Sequence, residues 1–147
     1  MNYIINSNTV AIIPINNKIT RVIEKDSLFV VNENSMKIIK NSCEYFGSSF
    51  LGRQKGTKIL TGINYKSPII IEESRNIIFF PLSSPRDMNC SWISLFYIKN
   101  YINKDGKLEV LFENGKKYIF NISYGSFDNQ YLRATKLESI LRKRKIW

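Results

Sequence analysis

Short β-branched and apolar runs, broken by polar turns, fill the first third of the chain. TVAIIPI (9–15), ITRVIE (19–24) and SLFVV (27–31) each have the length and composition of a strand. Pro14 suits a strand edge or bulge. The period then changes. In MKIIKNSCEYF (36–46), Ile38, Ile39, Cys43 and Phe46 recur at helical spacing, and Gly47 supplies a C-terminal stop. Ser48 or Ser49 then caps a second short helix through Arg53, so that short helices occupy the region around 36–58.

Strand character returns in SPIII (67–71) and NIIFFPL (76–82), followed by the loop SSPRDMN and by WISLFYIKNYI (92–102), which reads as one further strand. Asp105-Gly106 and Asn114-Gly115 are turn signals, and KLEVLFE and KKYIFNI alternate on either side of the second. Leu108, Val110 and Phe112 form one inward row, and Tyr118, Phe120 and Ile122 a facing one. The stretch 92–122 is therefore a three-strand meander. SFDNQYLRATKLESILRKRK (126–145) reads as a closing basic helix with Ser126 as N-cap and Asp128 in its first turn. Its apolar stripe is Phe127, Tyr131, Ala134, Leu137 and Leu141, with Arg133, Lys136, Lys143 and Arg144 on the other side. Strands, helices and strands follow one another without βαβ alternation. The expected fold is α+β with a largely antiparallel sheet.

A chain of 147 residues with 44% hydrophobic and 13% aromatic residues is one domain with a real core. No run of 18 apolar residues suggests a membrane span, and MNYIINSNTV lacks the features of a secretion signal, so a cytoplasmic location is expected. Cys43 and Cys90 fit that compartment as buried thiols. The absence of histidine removes Ser-His-Asp and Cys-His nucleophiles and HExxH zinc sites, and two cysteines alone do not make a structural zinc site. Glu72 and Glu73 are adjacent, so in a strand they point to opposite faces rather than forming an acid/base pair. Neither an enzyme, a metal nor a cofactor is expected.

The net charge of +10 is unevenly placed. Residues 37–66 carry six cations against Glu44, and residues 129–147 six against Glu138, while the remainder balances. Charge segregated in this way is a footprint for a polyanion, although a basic solvated surface would look similar.

GSSFLGRQ (47–54) lies inside the first basic segment and is close to the phosphate-binding pattern GxxxxGK[ST]. It has Arg53 where lysine reaches the terminal phosphates, and Gln54 where a hydroxyl must hold magnesium. A nucleotide-dependent enzyme is thereby disfavoured. The same hydroxyls, amides and cations suit a nucleic-acid backbone, and they equally suit a junction between two helices. Exposed aromatics would instead indicate a module for RNA or single strands.

Several segments also resemble the competence transcription factor (ComK) family of low-GC Gram-positive bacteria. They are IEKDSLFVVN (23–32), SCEYFGSSFLGRQKGT (42–57), YKSPII (65–70), FPLSSPRDMNCSWIS (80–94), FENGK (112–116) and ISYGSFDNQYLRAT (122–135), in family order. The resemblance implies a single DNA-binding domain, a transcriptional activator of DNA-uptake genes. It implies paired AT-rich boxes of double-stranded promoter DNA read mainly from the minor groove by a homo-oligomer at the nucleoid. It also points to RNA polymerase and a proteolytic adaptor as further partners. Taken with the charge distribution, it makes Arg53, Gln54, Lys55 and Lys58 in the glycine-containing stretch the first candidates for DNA contact, followed by Lys66 and Arg86. Asn114, Lys116 and Lys117 at the hairpin tip form a second contact, and Arg133 a third.

Overall fold

The computed structural model describes residues 2–145 as two antiparallel sheets and three helices. The larger sheet contains β1 (Thr9–Pro14), β2 (Thr20–Glu24), β3 (Leu28–Val31), β4 (Ile69–Glu72), β5 (Ile77–Pro81) and β6 (Trp92–Ser94), in the order β3-β2-β1-β6-β5-β4. The smaller is a meander of β7 (Ile98–Lys104), β8 (Lys107–Phe112) and β9 (Lys117–Phe120). Helices α1 (Ser35–Tyr45) and α2 (Phe50–Thr61) lie between β3 and β4, and α3 (Tyr124–Arg144) closes the fold. This is the α+β arrangement that the pattern predicts.

Alternation along the strands gives the larger sheet two apolar faces. On one, Ile12, Val22, Phe79 and Trp92 pack against Ile38, Ile39 and Cys43 of α1. On the other, Ala11, Ile23, Phe80 and Ile93 meet Val110 and Phe112 of the small sheet and Phe127 and Ala134 of α3. Helix α2 packs against β4 and α3. Thr57 is its only buried residue, and its hydroxyl donates to the Pro68 carbonyl at 2.7 Å.

The glycine-serine stretch is a stop and a start. Gly47 has φ of 87°, and the N–H groups of Gly47 and Ser48 donate to the carbonyls of Glu44 and Cys43, each at 3.0 Å. These bonds close α1 in a left-handed cap. Ser49 then accepts from the Gly52 amide at 2.9 Å and opens α2.

Three elements differ from the sequence expectation. WISLFYIKNYI is not one strand: β6 joins the large sheet, a single 3₁₀ turn (Leu95–Tyr97) redirects the chain, and β7 starts the small one. Leu95 and Tyr97 turn into the core at this corner while Phe96 is exposed, and the Tyr97 hydroxyl anchors it to the Ser7 carbonyl at 2.6 Å. Helix α2 runs beyond Arg53 to Thr61 and ends at Gly62 with φ of 79°. It lacks an apolar stripe, so its period was not legible. Helix α3 is capped by Ser123, whose hydroxyl accepts from the Ser126 amide at 3.1 Å, rather than by Ser126 itself.

The glycines make the backbone argument testable. Gly47→Ala should cost about 1–2 kcal/mol, because alanine resists the left-handed conformation. Gly56 lies inside α2 with open space where a Cβ would sit. Gly56→Ala should therefore add up to about 1 kcal/mol by raising helix propensity. Urea melts of both variants measure the two signs.

Candidate nucleic-acid interface

A groove of about 1060 Å³ runs between α1, the first turn of α2 and the loops 64–66 and 84–88. Cys90 and Trp92, both buried, line it from below. Lys40, Lys66 and Arg86 contribute cations, Glu44 and Asp87 anions, and Gln54 an amide. The N-terminus of α2 opens beside it at Ser49 and Phe50, adding the partial positive charge of unpaired helix amides.

The two loops are built differently. Around Arg86 the chain folds on itself: the Arg86 amide donates to Ser84 Oγ at 3.3 Å, and the Asp87 amide to the Ser84 carbonyl at 2.9 Å. Asp87 Oδ1 accepts from the Asn89 amide at 2.9 Å, leaving the Arg86 side chain exposed. The loop at Lys66 is held from outside. Lys66 has φ of 46°, and its carbonyl accepts from Gln130 Nε2 of α3 at 3.0 Å. The same amide nitrogen donates to the Pro81 carbonyl at 2.8 Å, while Arg133 donates to Gln130 Oε1 and to the Tyr65 carbonyl. Burial lowers the Arg133 pKa. The Lys66 ammonium sits 5.3 Å from the Tyr65 ring centre, within cation–π range.

The structure thus brings Gln54, Lys66 and Arg86 into one groove. Lys55 and Lys58 stand on the exposed face of α2 beside Leu51 and Ile59, the latter 83% exposed. Arg53, Gln54, Lys55 and Lys58 are helical residues, not loop residues. Arg53 is half-buried, with Nε enclosed and unpartnered. Its guanidinium lies near Cys43, whose thiol burial pushes up to about 11 against the pull of that cation.

Asn114 is occupied at the hairpin tip. Its Oδ1 accepts from the Lys116 amide at 3.1 Å, and its Nδ2 donates to the Lys25 carbonyl at 3.2 Å. Lys116 and Lys117 are exposed there, outside the groove lining. Lys40 and Gln130 were not singled out in the sequence. The signal for Gln130 was present in NQ-x-x-R, which places Gln130 and Arg133 one helical turn apart.

Among the described residues the ion pairs are Lys104–Glu109 at 3.2 Å and Arg142–Glu138 at 3.4 Å, so no candidate cation is neutralised by a carboxylate. Those residues hold no cluster of three metal-ligating side chains, and no helix among them is long and apolar enough to cross a membrane. The role of Arg133 is open to direct measurement. Arg133→Ala should lower stability by roughly 1–2 kcal/mol through loss of charge-assisted hydrogen bonds. Arg133→Lys should fail to restore it, because one ammonium cannot reproduce the planar fork. Chemical denaturation reads both.

A family model described as ComK protein matches residues 1–146. The competence transcription factor of Bacillus subtilis (strain 168) is 39% identical over 146 residues, an alignment that covers 97% of this chain and 76% of that protein. No solved structure matches. The chain belongs to the ComK family.

Proposed function

We propose that this protein is a transcriptional activator of competence genes that binds AT-rich double-stranded promoter DNA as a homo-oligomer. The observation that supports this reading best is the grouping of Lys40, Lys66 and Arg86 around one groove, beside a helix whose Lys55 and Lys58 project into solvent. None of these cations has a carboxylate partner among the described residues. Lysine and arginine near phosphate release counterions, which gives affinity without sequence preference. The same reading takes in contact with RNA polymerase and turnover through a proteolytic adaptor.

Helix geometry divides the labour. An α-helix with its side chains is about 10–12 Å across, and the minor groove is about 6 Å wide. Helix α2 therefore lies along the DNA backbone, with Lys55 and Lys58 on phosphates. The self-folded loop around Arg86 is thin enough to enter the groove, where a narrow A·T tract concentrates negative potential. Gln54 and Lys66 sit between these two contacts. Lys116, Lys117 and the half-buried Arg53 are secondary in this arrangement, and Asn114 and Arg133 act by holding the backbone.

Titration of AT-rich duplex, GC-rich duplex and RNA at two salt concentrations tests the reading. The AT-rich duplex should bind tightest. Removing both Lys55 and Lys58 should weaken all duplexes alike and reduce the salt dependence by roughly 0.9 per lost phosphate contact. Arg86→Ala should instead narrow the gap between AT-rich and GC-rich DNA. Equal affinity for all three nucleic acids would sink the proposal, and a preference for RNA would favour a single-strand module.

A further inference from the structure

The two sheets present four outer edges, and three are guarded. Strand β4 carries a bulge between Ile70 and Glu72 and is packed against α2. Strand β7 includes Lys99 and Lys104, and β9 begins at Lys117. Charges, bulges and covering helices are the devices that keep an edge from pairing with another chain. Strand β3 has none of them. Its sequence is LFVV, flanked by Ser27 and Asn32, and it pairs only with β2.

Its hydrogen-bonding direction can be read from the hairpin. Glu24 and Ser27 bond to each other in both directions, at 2.9 and 3.4 Å. Antiparallel pairs alternate from there. Phe29, opposite Val22, and Val31, opposite Thr20, use their backbone groups on β2. Leu28 and Val30 therefore direct their N–H and C=O groups outward, and their side chains are 50% and 52% exposed.

We propose that β3 pairs antiparallel with β3 of a second copy, joining two six-stranded sheets into one. The strand is self-complementary. With Phe29 opposite Phe29 of the other copy, Leu28 faces Val30 twice, and all four outward N–H groups find carbonyls. A side chain directly opposite another must share its face of the sheet, and this register satisfies that condition. Charge does not oppose a second copy at this edge. Two chains of net charge +10 repel, but both basic segments lie outside residues 27–32, which carry no charge. This inference names the surface for the oligomer in the reading above.

Sedimentation of the full chain without DNA separates the two ideas. At about 100 µM the mass should approach twice 17.2 kDa and fall on dilution, as mass action requires. Val30→Lys should weaken dimerisation by at least about tenfold, since lysine on the edge opposes pairing, while leaving the melting temperature of the dilute monomer unchanged. Phe29→Cys should form a disulfide between copies under mild oxidation. Cys43 and Cys90 are buried and leave little background. A monomer throughout, a dimer indifferent to Val30→Lys, or a dimer without the Phe29→Cys cross-link would overturn the proposal. None of these outcomes bears on the duplex titration, whose failure would leave sedimentation unchanged.

Discussion

The carboxamide of Gln130 lies in the buried stripe of α3 and donates both N–H groups, one to the Lys66 carbonyl and one to the Pro81 carbonyl. The first acceptor belongs to a residue in the left-handed region, on one wall of the groove. The second ends β5, where the chain leaves for the Arg86 loop that also lines the groove. One side chain therefore sets both loops relative to the core. Its Oε1 accepts from Arg133, which also holds the Tyr65 carbonyl. An apolar residue of the same size would leave both carbonyls without this donor, at roughly 1–3 kcal/mol for the buried one at Pro81. A single polar residue in an apolar stripe thus links packing to the geometry of the site.

That linkage explains what could be read from the chain in advance. Local rules served wherever one residue type dictates the backbone. Gly47 ended a helix, Asp105-Gly106 made a two-residue hairpin with φ values of 53° and 82°, and alternation placed Leu108, Val110 and Phe112 inside. They failed where the determining partner is distant. The corner at Leu95–Tyr97 depends on Ser7, and the course of α2 on Pro68. Without those contacts, an unbroken apolar run looks like one strand, and the helix that Ser49 opens can be followed only as far as Arg53.

The candidate site divided along the same line. Residue type marked Lys66 and Arg86 as cations, but their placement on one groove with Gln54 arises from loops that different elements hold in place. Residue type also marked Asn114 and Arg133, whose polar atoms turn out to be engaged with the backbone carbonyls of Lys25 and Tyr65. A cation or an amide in sequence is only an offer of hydrogen bonds. Which partner takes it depends on whether the fold brings a carbonyl within reach first.

The two basic segments illustrate how topology converts composition into a field. They are far apart in the chain, yet α2 and α3 pack together. Lys136 Nζ donates to the Thr61 carbonyl at 3.1 Å, at the C-terminal end of α2, where a cation meets the negative end of the helix dipole. Lys145 Nζ likewise donates to the Glu73 carbonyl at 3.3 Å, beside the turn after β4. Part of the C-terminal charge is thus held against backbone and serves the fold. Because those contacts lie beside β4 and α2, they draw the second basic segment toward the first, at the end of the large sheet opposite β3. The cations of α2 and α3 are thereby gathered beside β4, while residues 27–32 at the other end of the sheet carry no charge. Cations grouped in this way strengthen the field at the β4 end of the sheet.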